Sequence, residues 1–375
     1  MPTELAFLKL PATQKEFSRR YAQEFARVVS RSQFILGEEL SRFESEFASF
    51  CGGRYCIGVG NGTQALEIAL RLNGIGPGQR QEVITTPLTA VFTVHAIVAA
   101  GARPVFADVD PETLLLDPSA ARGRISRRTA AMLPVHLYGE VCDLDAFRRI
   151  AREAGCPLIQ DAAQAHGSEW RGRPLSDFSN WVAYSFYPTK NLGCLGDGGA
   201  LITNRRVFME KVRRFRDGGR VRGHVAQSAG MNSRLDELQA AMLRLHLQYL
   251  RRWNQKRARL AALYDQLLTE IPSEKVKRPF HSPKSRSSHH LYVIRTPDRD
   301  RLRDFLRKRG IETAVHYAPP LHLQPAFRSF GYGKGDFPAA ERAAKEIVSL
   351  PLHPFLSVSE VERVATQIMR FFKHL

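Results

Sequence analysis

The sequence has no long apolar run that could cross a membrane. Its longest apolar stretch, around residues 96–100, is far shorter than the about 20 residues that a membrane-spanning helix needs. The N-terminal stretch, MPTELAFLKLPATQKEF, has neither the basic leader nor the apolar core of a secretory signal. We therefore expect a cytoplasmic protein that does not associate with membranes.

Cysteine is scarce, and its pattern fits neither a disulfide framework nor a zinc site. The five cysteines are odd in number, and no second cysteine or histidine pair stands at zinc spacing. We expect free thiols and no bound metal. The cysteines are Cys51, Cys56, Cys142, Cys156 and Cys194.

Nucleic-acid-binding motifs are also missing, although the chain is strongly basic. The net charge is +18 and the isoelectric point is near 10.1, with denser basic clusters in residues 205–222 and 275–286. There is no helix-turn-helix, no zinc finger and no basic stripe interleaved with aromatic residues. A basic field attracts a nucleotide diphosphate as well as a nucleic acid, so charge alone does not identify the ligand.

What is present is the composition and patterning of a soluble α/β protein. A chain of 375 residues, 43% hydrophobic and 25% charged, predicts two domains. Short apolar runs alternate with helical patterns up to about residue 160, which predicts parallel strands covered by helices on both faces. A long helix over 234–270 leads to a smaller unit, in which we expect strands at 290–295 and 311–317. We predict a large domain over 1–250 and a smaller one over 251–375.

One stretch stands out, NWVAYSFYPTKNLGCLGDGGALITN, with Lys190 at its centre. An apolar strand ends at Tyr187 and Pro188, because proline donates no ladder hydrogen bond, and Lys190 follows directly. Such a lysine is ordinarily solvated. Asp161 also ends an apolar run, and ligands of α/β sheets bind beyond the carboxyl ends of the strands. The two residues are therefore expected to meet.

A second junction concerns the strand 55–59, which runs through Gly60-Asn61-Gly62-Thr63 into a helix. Free N–H groups at a helix start attract a phosphate, but an ordinary cap by Asn61 or Thr63 is the simpler interpretation of this segment alone. Lysine and aspartate at neighbouring strand ends fit pyridoxal 5′-phosphate (PLP) chemistry, in which the lysine forms a Schiff base and the aspartate keeps the pyridine nitrogen protonated. Gly62, Thr63 and Ser185 are then candidates for the phosphate.

Five stretches together resemble the DegT/StrS family of PLP-dependent nucleotide-sugar aminotransferases, from about residue 34 to about residue 354. That resemblance implies the fold-type I (aspartate aminotransferase-like) architecture: a large α/β domain, a smaller α+β C-terminal domain, and a homodimer with active sites at the subunit interface. The stretches are VGNGTQALEIAL, PLIQDAAQAHGSEWRGRP, YSFYPTKNLGCLGDGGALITN, MNSRLDELQAA and HYAPPLHLQPAF.

By position, the resemblance implies that Lys190 is the catalytic Schiff-base lysine and that Asp161 pairs with the pyridine nitrogen. Gln164 would lie toward the 3′-hydroxyl of the cofactor, and Asn232 would reach the phosphate of the neighbouring subunit; both residues could instead be loop caps. The cofactor contacts are thus Gly62, Thr63, Asp161, Gln164, Ser185, Lys190 and Asn232. The segment TTPLTAVFT departs from the family pattern, because Ala90 replaces an aromatic residue that stacks on the cofactor. Leu88 and Phe92 are the alternatives for covering the ring.

The resemblance also implies an amino-acid donor, L-glutamate, and a keto deoxysugar acceptor carried on dTDP or UDP and aminated at C3. Such enzymes serve deoxyamino-sugar biosynthesis for lipopolysaccharide or antibiotics. Alternatives are amination of a free cyclitol or keto sugar, a PLP-dependent sugar elimination, and a non-catalytic nucleic-acid-binding regulator. Candidate substrate contacts are Tyr187, Arg220, Arg222, His316, Tyr317 and His322.

Overall fold

The computed structural model describes residues 4–78 and 81–373, without the side chains of Ala12 and Arg222. Two helices open the chain and precede the first strand and the helix that follows it. No helix in the described ranges combines the length and the apolar content needed to cross a bilayer. These first elements are α1 (Lys15–Arg31), α2 (Glu38–Phe50), β1 (Tyr55–Val59) and α3 (Gly62–Leu72).

The next part of the chain alternates strands and helices up to about residue 160, as the sequence predicts, and continues through further strands. Its elements are β2 (Glu82–Thr85), α4 (Val91–Ala99), β3 (Arg103–Phe106), α5 (Pro118–Gly123), β4 (Thr129–Met132), α6 (Leu144–Glu153), β5 (Gln160–Asp161), β6 (Glu169–Trp170), β7 (Arg173–Pro174), β8 (Val182–Ser185) and β9 (Gly199–Thr203).

After β9, the chain forms a helix, a hairpin and the long helix α8. The elements are α7 (Arg206–Phe215), β10 (Arg220–Arg222), β11 (Val225–Ala226), α8 (Glu237–Leu267), β12 (Ser285–Arg286), β13 (Tyr292–Arg295), α9 (Arg299–Arg307), α10 (Pro338–Glu346), β14 (Ile347–Leu350) and α11 (Val358–Lys373).

Seven strands lie side by side in one sheet, in the order β3-β2-β4-β5-β8-β9-β1. Two groups of paired strands, β3-β2-β4 and β5-β8-β9-β1, are joined by the parallel bridges Met132–Leu158 and Val135–Asp161. The strands run parallel except β9, which is antiparallel to both β8 and β1. The connection from β8 to β9 is the Lys190 loop, which contains no helix, whereas a parallel return usually crosses over the sheet through a helix.

Helices cover both faces of this sheet, so the prediction of a two-sided α/β layer is confirmed. One face packs against α2, α6 and the first half of α8, and the other packs against α3, α4 and α7. The second half of α8 contributes Leu260 and Tyr264 to a separate core with β13, β14, α9 and α11. Helix α8 thus runs through the predicted boundary at 250/251. The domain division itself stays a prediction.

One predicted strand, over 311–317, is wrong. This segment makes only single bridges, Leu5–Ile311 and Ala314–Ser349. The place beside β13 is taken by β14, whose four residues pair antiparallel with Tyr292–Arg295. With β14 in that place, the segment 312–320 bends toward the sheet edge described next.

Candidate active site

The site is built where β1, β5 and β8 end. Asp161 is the last residue of β5, and Ser185 is the last residue of β8. Gly62 begins α3 just beyond β1, and it lies so near that a β-carbon on it would stand 2.8 Å from Ser185 Cβ. The parallel placement of β5 and β8 thus brings Asp161, Ser185 and the Lys190 loop to one edge.

Lys190 is a half-buried lysine whose amine is unpaired within residues 4–78 and 81–373: Nζ has no hydrogen bond and no ion pair there. Its backbone N–H donates to the Tyr187 carbonyl at 2.9 Å, which fixes the loop. Burial lowers the pKa of Lys190 to about 8, and the negative charge of Asp161 opposes that shift. A sizeable fraction of the amine is therefore neutral near pH 8, as a nucleophile requires.

Asp161 is a buried carboxylate held in two directions. Its Oδ1 accepts a hydrogen bond from the Ala163 N–H at 3.1 Å, and its Oδ2 accepts one from Thr93 Oγ1 at 2.8 Å. Burial raises the pKa of Asp161, while these two hydrogen bonds and the charge of Lys190 act in the opposite direction. Such a carboxylate is a strong proton acceptor with a fixed orientation.

Sequence reasoning missed Thr93, although a signal was present. Thr89 and Thr93 are both buried, and their hydroxyl oxygens lie 3.1 Å apart at the start of α4. The four-residue spacing in TTPLTAVFT places the two hydroxyls on one helical face, pointing to a polar partner. Only the tertiary structure shows that this partner is Asp161.

The start of α3 carries both features that the sequence left open. Asn61 caps the helix, since its side-chain oxygen accepts from the Gln64 N–H at 2.9 Å. The N–H groups of Gly62 and Thr63 make no hydrogen bond within the described ranges. Two free donors at a helix N-terminus beside Ser185 form a cradle suited to a phosphate.

Gln164, Tyr317 and Tyr138 form a hydrogen-bonded group along another side of the site. Gln164 Nε2 donates to the Tyr317 hydroxyl at 2.9 Å, and its Oε1 accepts from the Tyr138 N–H at 2.6 Å. The Tyr138 hydroxyl donates to the His316 carbonyl oxygen. Burial and the charge of Asp161 raise the pKa of Tyr317 to about 12, so its hydroxyl keeps its proton and can donate it to a ligand.

His316 lies near enough to Lys190 for the charge of Lys190 to affect its pKa. Burial and the positive charge of Lys190 lower the pKa of His316 to about 4. The ring is therefore neutral near pH 7, and its Nδ1 lies 2.9 Å from Ser349 Oγ. Tyr187, near the start of the Lys190 loop, is 53% exposed.

Other candidate substrate contacts lie elsewhere. His322 is fully buried, where Nε2 lies 3.1 Å from Glu341 Oε1 and the ring packs on Phe337. Arg220 is paired with Asp217 at 2.6 Å. The side chain of Arg222 lies outside the described part of the chain. The structure thus gives His322 a packing role and binds Arg220 to its own loop.

Many of the basic residues that drew attention to the two clusters are held in internal contacts. In the first cluster, Arg213 and Arg216 both pair with Glu44. In the second, Lys277 pairs with Glu112 and Arg286 with Glu169. Much of the basic charge in these segments is therefore balanced locally.

The residues proposed to cover a bound ring in place of the absent aromatic do not fit that role well. Leu88 is wholly buried in the main core. Phe92 is 60% exposed, and its ring contacts that of His95.

Asn232 is exposed, and its side chain makes no hydrogen bond with other residues of the described ranges. Within the described residues, the five cysteines form no disulfide.

Comparison with known proteins adds independent information. Residues 15–369 match the DegT/DnrJ/EryC1/StrS aminotransferase family. The chain is 42% identical to the "Pleiotropic regulatory protein" of Geobacillus stearothermophilus, over 96% of this chain and 98% of that protein. It is also 42% identical to the dTDP-3-amino-3,4,6-trideoxy-alpha-D-glucose transaminase of Streptomyces venezuelae, over 96% and 93% of the two chains.

A solved structure extends this similarity to the fold. The crystal structure of S. venezuelae DesV in complex with ketimine intermediate has a TM-score of 0.95. Its sequence is 40% identical, and the match covers 99% of each chain. The elements that carry Lys190, Asp161 and Ser185 therefore belong to a shared architecture.

Proposed function

The chain belongs to the DegT/DnrJ/EryC1/StrS aminotransferase family, and on that premise we propose that it aminates a keto deoxysugar linked to dTDP or UDP. The amino donor is an amino acid, with L-glutamate as our assignment, and C3 is the position that receives the group. One observation carries the proposal. Lys190 is half-buried, its amine is unpaired within the described residues, and burial lowers its pKa. It lies near enough to the buried carboxylate of Asp161 for each charge to affect the pKa of the other group.

The site fits pyridoxal 5′-phosphate, the cofactor of this chemistry. The free N–H groups of Gly62 and Thr63, with Ser185 in contact, suit its phosphate, and the Asp161 carboxylate suits its pyridine nitrogen. When bound, the cofactor supplies an aldehyde that captures amines and a ring that accepts the electron pair released at the α-carbon.

The residues of this chain then have separate tasks. Asp161 keeps the proton on the pyridine nitrogen, and Thr93 keeps the Asp161 carboxylate in place. The amine of Lys190 would hold the cofactor, and Lys190 would move a proton to and from the α-carbon of the substrate as general base and acid. Gln164, through its hydrogen bond to Tyr317, holds the side of the pocket in which the cofactor ring would lie.

We assign the acceptor to the nucleotide-linked class because the S. venezuelae relative is a dTDP-sugar transaminase. Tyr187, His316 and Tyr317 are our candidate sugar contacts. His316 and Tyr317 are uncharged near pH 7 by their pKa directions. Neutral donors and acceptors suit sugar hydroxyls.

We further propose a homodimer in which Asn232 reaches the phosphate bound by the partner copy. Several apolar side chains near the start of α8 are exposed, a feature typical of interaction surfaces. Two contacts place these residues near the start of α8: Ile35 forms a β-bridge with Asp236, and the Leu195 N–H donates to Gln239 Oε1 at 2.9 Å. We call these residues the apolar patch: Phe34, Ile35, Leu36 and Leu195.

We place the enzyme in the cytoplasm, in deoxyamino-sugar synthesis for a surface polysaccharide or an antibiotic. The regulator alternative has little structural support, because several residues of the two basic clusters are paired with the carboxylates of Glu44, Asp217, Glu112 and Glu169. A pure binding protein also has no need for an unpaired lysine facing a buried aspartate.

The decisive experiment follows the cofactor and the amino group. Protein reconstituted with the cofactor should absorb in the near-UV and visible range, and borohydride should fix the cofactor to the peptide containing Lys190. Adding L-glutamate should change that spectrum, and a dTDP- or UDP-linked 3-keto-6-deoxyhexose should then yield an amino sugar detectable by mass spectrometry. Absence of the spectral response, or a label on another lysine, would refute the proposal; Lys190→Ala is the matched control.

A further inference from the structure

The residue after Lys190 is a buried asparagine whose carboxamide is fully engaged. Asn191 Nδ2 donates to Asn254 Oδ1 at 3.0 Å and to the Ser288 carbonyl oxygen at 2.8 Å. Asn191 Oδ1 lies 3.0 Å from His290 Nδ1. Because the Ser288 carbonyl only accepts, the amide orientation is determined, and the His290 proton must sit on Nδ1. Three bonds in three directions fix this side chain.

Its partner Asn254, on α8, binds a second loop of the site. Asn254 Nδ2 donates to the His166 carbonyl oxygen at 2.7 Å. His166 belongs to the segment that begins with Asp161 and contains Gln164. Asn191 and Asn254 therefore connect the loop of the lysine to the loop of the aspartate.

Ser288 strengthens the same connection. Its hydroxyl donates to the Gln164 carbonyl oxygen at 2.9 Å, and its N–H donates to Ser168 Oγ at 3.1 Å. The segment just before β13 thus holds both loops from a third side. Two of the loops that form the pocket are cross-linked through side chains and not through sheet pairing.

The connecting groups are uncharged. Burial and the positive charges of Lys190 and Arg257 hold the pKa of His290 well below its usual range, so this ring is neutral. Asn191, Asn254 and Ser288 carry no charge. The set can fix the position of Lys190 without raising the pKa that burial has lowered, as a carboxylate in the same place would.

The two asparagines differ in access from solvent. Asn254 lines a cavity of about 390 Å³ whose wall includes the exposed residues Arg251 and Gln255. Asn191 does not line this cavity and is 4% exposed. A small amide from solution can therefore reach the place of one carboxamide and not that of the other.

We propose that Asn191 and Asn254 are positioning residues for amino transfer. Together they hold the Lys190 loop against the loop that carries Asp161 and Gln164, and so fix where Lys190 Nζ stands. This inference rests on the proposed function. Displacement of a reacting group by about 1 Å can cost about 100-fold in rate, so a loosened loop should slow the proton transfers more than it weakens binding.

The test compares Asn191→Ala and Asn254→Ala with Asn204→Ala, whose carboxamide bonds the Arg54 N–H and the Ser176 carbonyl away from the site. We expect the single-turnover rate with glutamate to fall about 10- to 100-fold in the first two variants. The KM for glutamate and the cofactor content should change little, and Asn204→Ala should behave as the wild type. Unchanged rates in both variants overturn the inference, whereas a wild-type enzyme inert to amino acids overturns the proposed function.

Two further measurements remain decisive if Asn191→Ala folds poorly. Because the asparagines act through one another, the double variant should lose less than the product of the two single losses. Acetamide should restore part of the rate of Asn254→Ala, through the cavity, and none of that of Asn191→Ala. Losses that multiply, or an Asn254→Ala enzyme indifferent to acetamide, overturn the inference.

Discussion

Thr93 Oγ1 donates a hydrogen bond of 2.8 Å to Asp161 Oδ2, so a helix of one layer orients the carboxylate at the end of a strand. Thr93 is 2% exposed and Asp161 is 5% exposed, so water does not substitute easily for this bond. The bond acts against burial, which raises the pKa of Asp161. Thr93 is thus coupled to the charge state of the residue that must hold a proton on the cofactor.

Replacing that hydroxyl should weaken the enzyme in a pH-dependent way. In Thr93→Val the pKa of Asp161 rises further, so the carboxylate is protonated at a higher pH. The acid limb of kcat/KM should move to higher pH, with a loss of about 10- to 100-fold, the range expected for a hydrogen bond to a charged group. Thr93→Ser keeps the hydroxyl and should retain the wild-type profile. An unshifted acid limb in Thr93→Val would contradict this coupling.

The lowered pKa of Lys190 predicts how the apoprotein captures its cofactor. The neutral amine is the nucleophile, and burial lowers its pKa to about 8. The rate of cofactor capture should therefore rise with pH through about 8 and level off above it. Asp161 raises this pKa, so Asp161→Asn should move the midpoint to lower pH. Stopped-flow absorbance across a pH series measures both midpoints, and a wild-type midpoint near the ordinary lysine value would refute the prediction.

The phosphate cradle depends on the absence of a side chain at residue 62. A β-carbon there would stand 2.8 Å from Ser185 Cβ and 3.2 Å from Ser185 Cα, and the second contact is with backbone. Gly62→Ala should displace the start of α3 and raise the Kd for the cofactor by at least about 10-fold, since small shifts of such donors are costly. Gly123, with open space around it, provides the control Gly123→Ala. Equal affinities would show that the cradle is not used.

The buried ion pair of Glu44 and Arg216 should matter for stability more than any surface pair. Arg216 Nη1 contacts Glu44 Oε1 and donates to the Gly58 carbonyl at 2.7 Å, which joins α2, β1 and the end of α7. Glu44→Ala leaves a buried guanidinium without its carboxylate, a change that costs about 3–5 kcal/mol. Urea denaturation should show it, whereas Glu210→Ala, which removes the exposed Arg206 pair, should leave the midpoint unchanged.

The sequence alone predicts much of the large domain because its signals are local. The strand 55–59, the helix after Gly62 and the helix over 144–153 follow from apolar spacing and turn residues. The predicted strand over 311–317 is wrong because β14, which is distant in sequence from β13, pairs with β13 instead. The antiparallel direction of β9 likewise depends on the connection before it, which contains no crossover helix.

The site divides in the same manner. Asp161 ends one apolar run and Lys190 lies in the loop just after another, so their proximity is predictable from the rule that such loops meet at one edge of the sheet. Thr93, Asn191 and Asn254 are defined only by their partners, which lie on other elements. For His322 the motif alone suggests a substrate contact, and the structure shows its ring 3.1 Å from Glu341 Oε1 and packed on Phe337.

The proposed sharing of active sites between two copies can be tested by mixing two inactive variants. Lys190→Ala lacks the lysine, and Asn232→Ala lacks the group proposed to reach the partner's phosphate. In a mixed dimer, the Asn232→Ala copy supplies Lys190 and the Lys190→Ala copy supplies Asn232, so one of the two sites is complete. Random exchange between symmetric dimers should then restore about a quarter of wild-type activity.

The control for this mixing experiment uses the apolar patch. Ile35→Glu places a charge among the exposed residues Phe34, Leu36 and Leu195 and should shift the protein toward monomer in light scattering. Introduced into both inactive variants, it should abolish the regained activity, because complementation requires contact between copies. If Asn232→Ala is fully active by itself, or if mixing restores nothing while dimers exchange freely, Asn232 does not serve the partner's site and each copy completes its own.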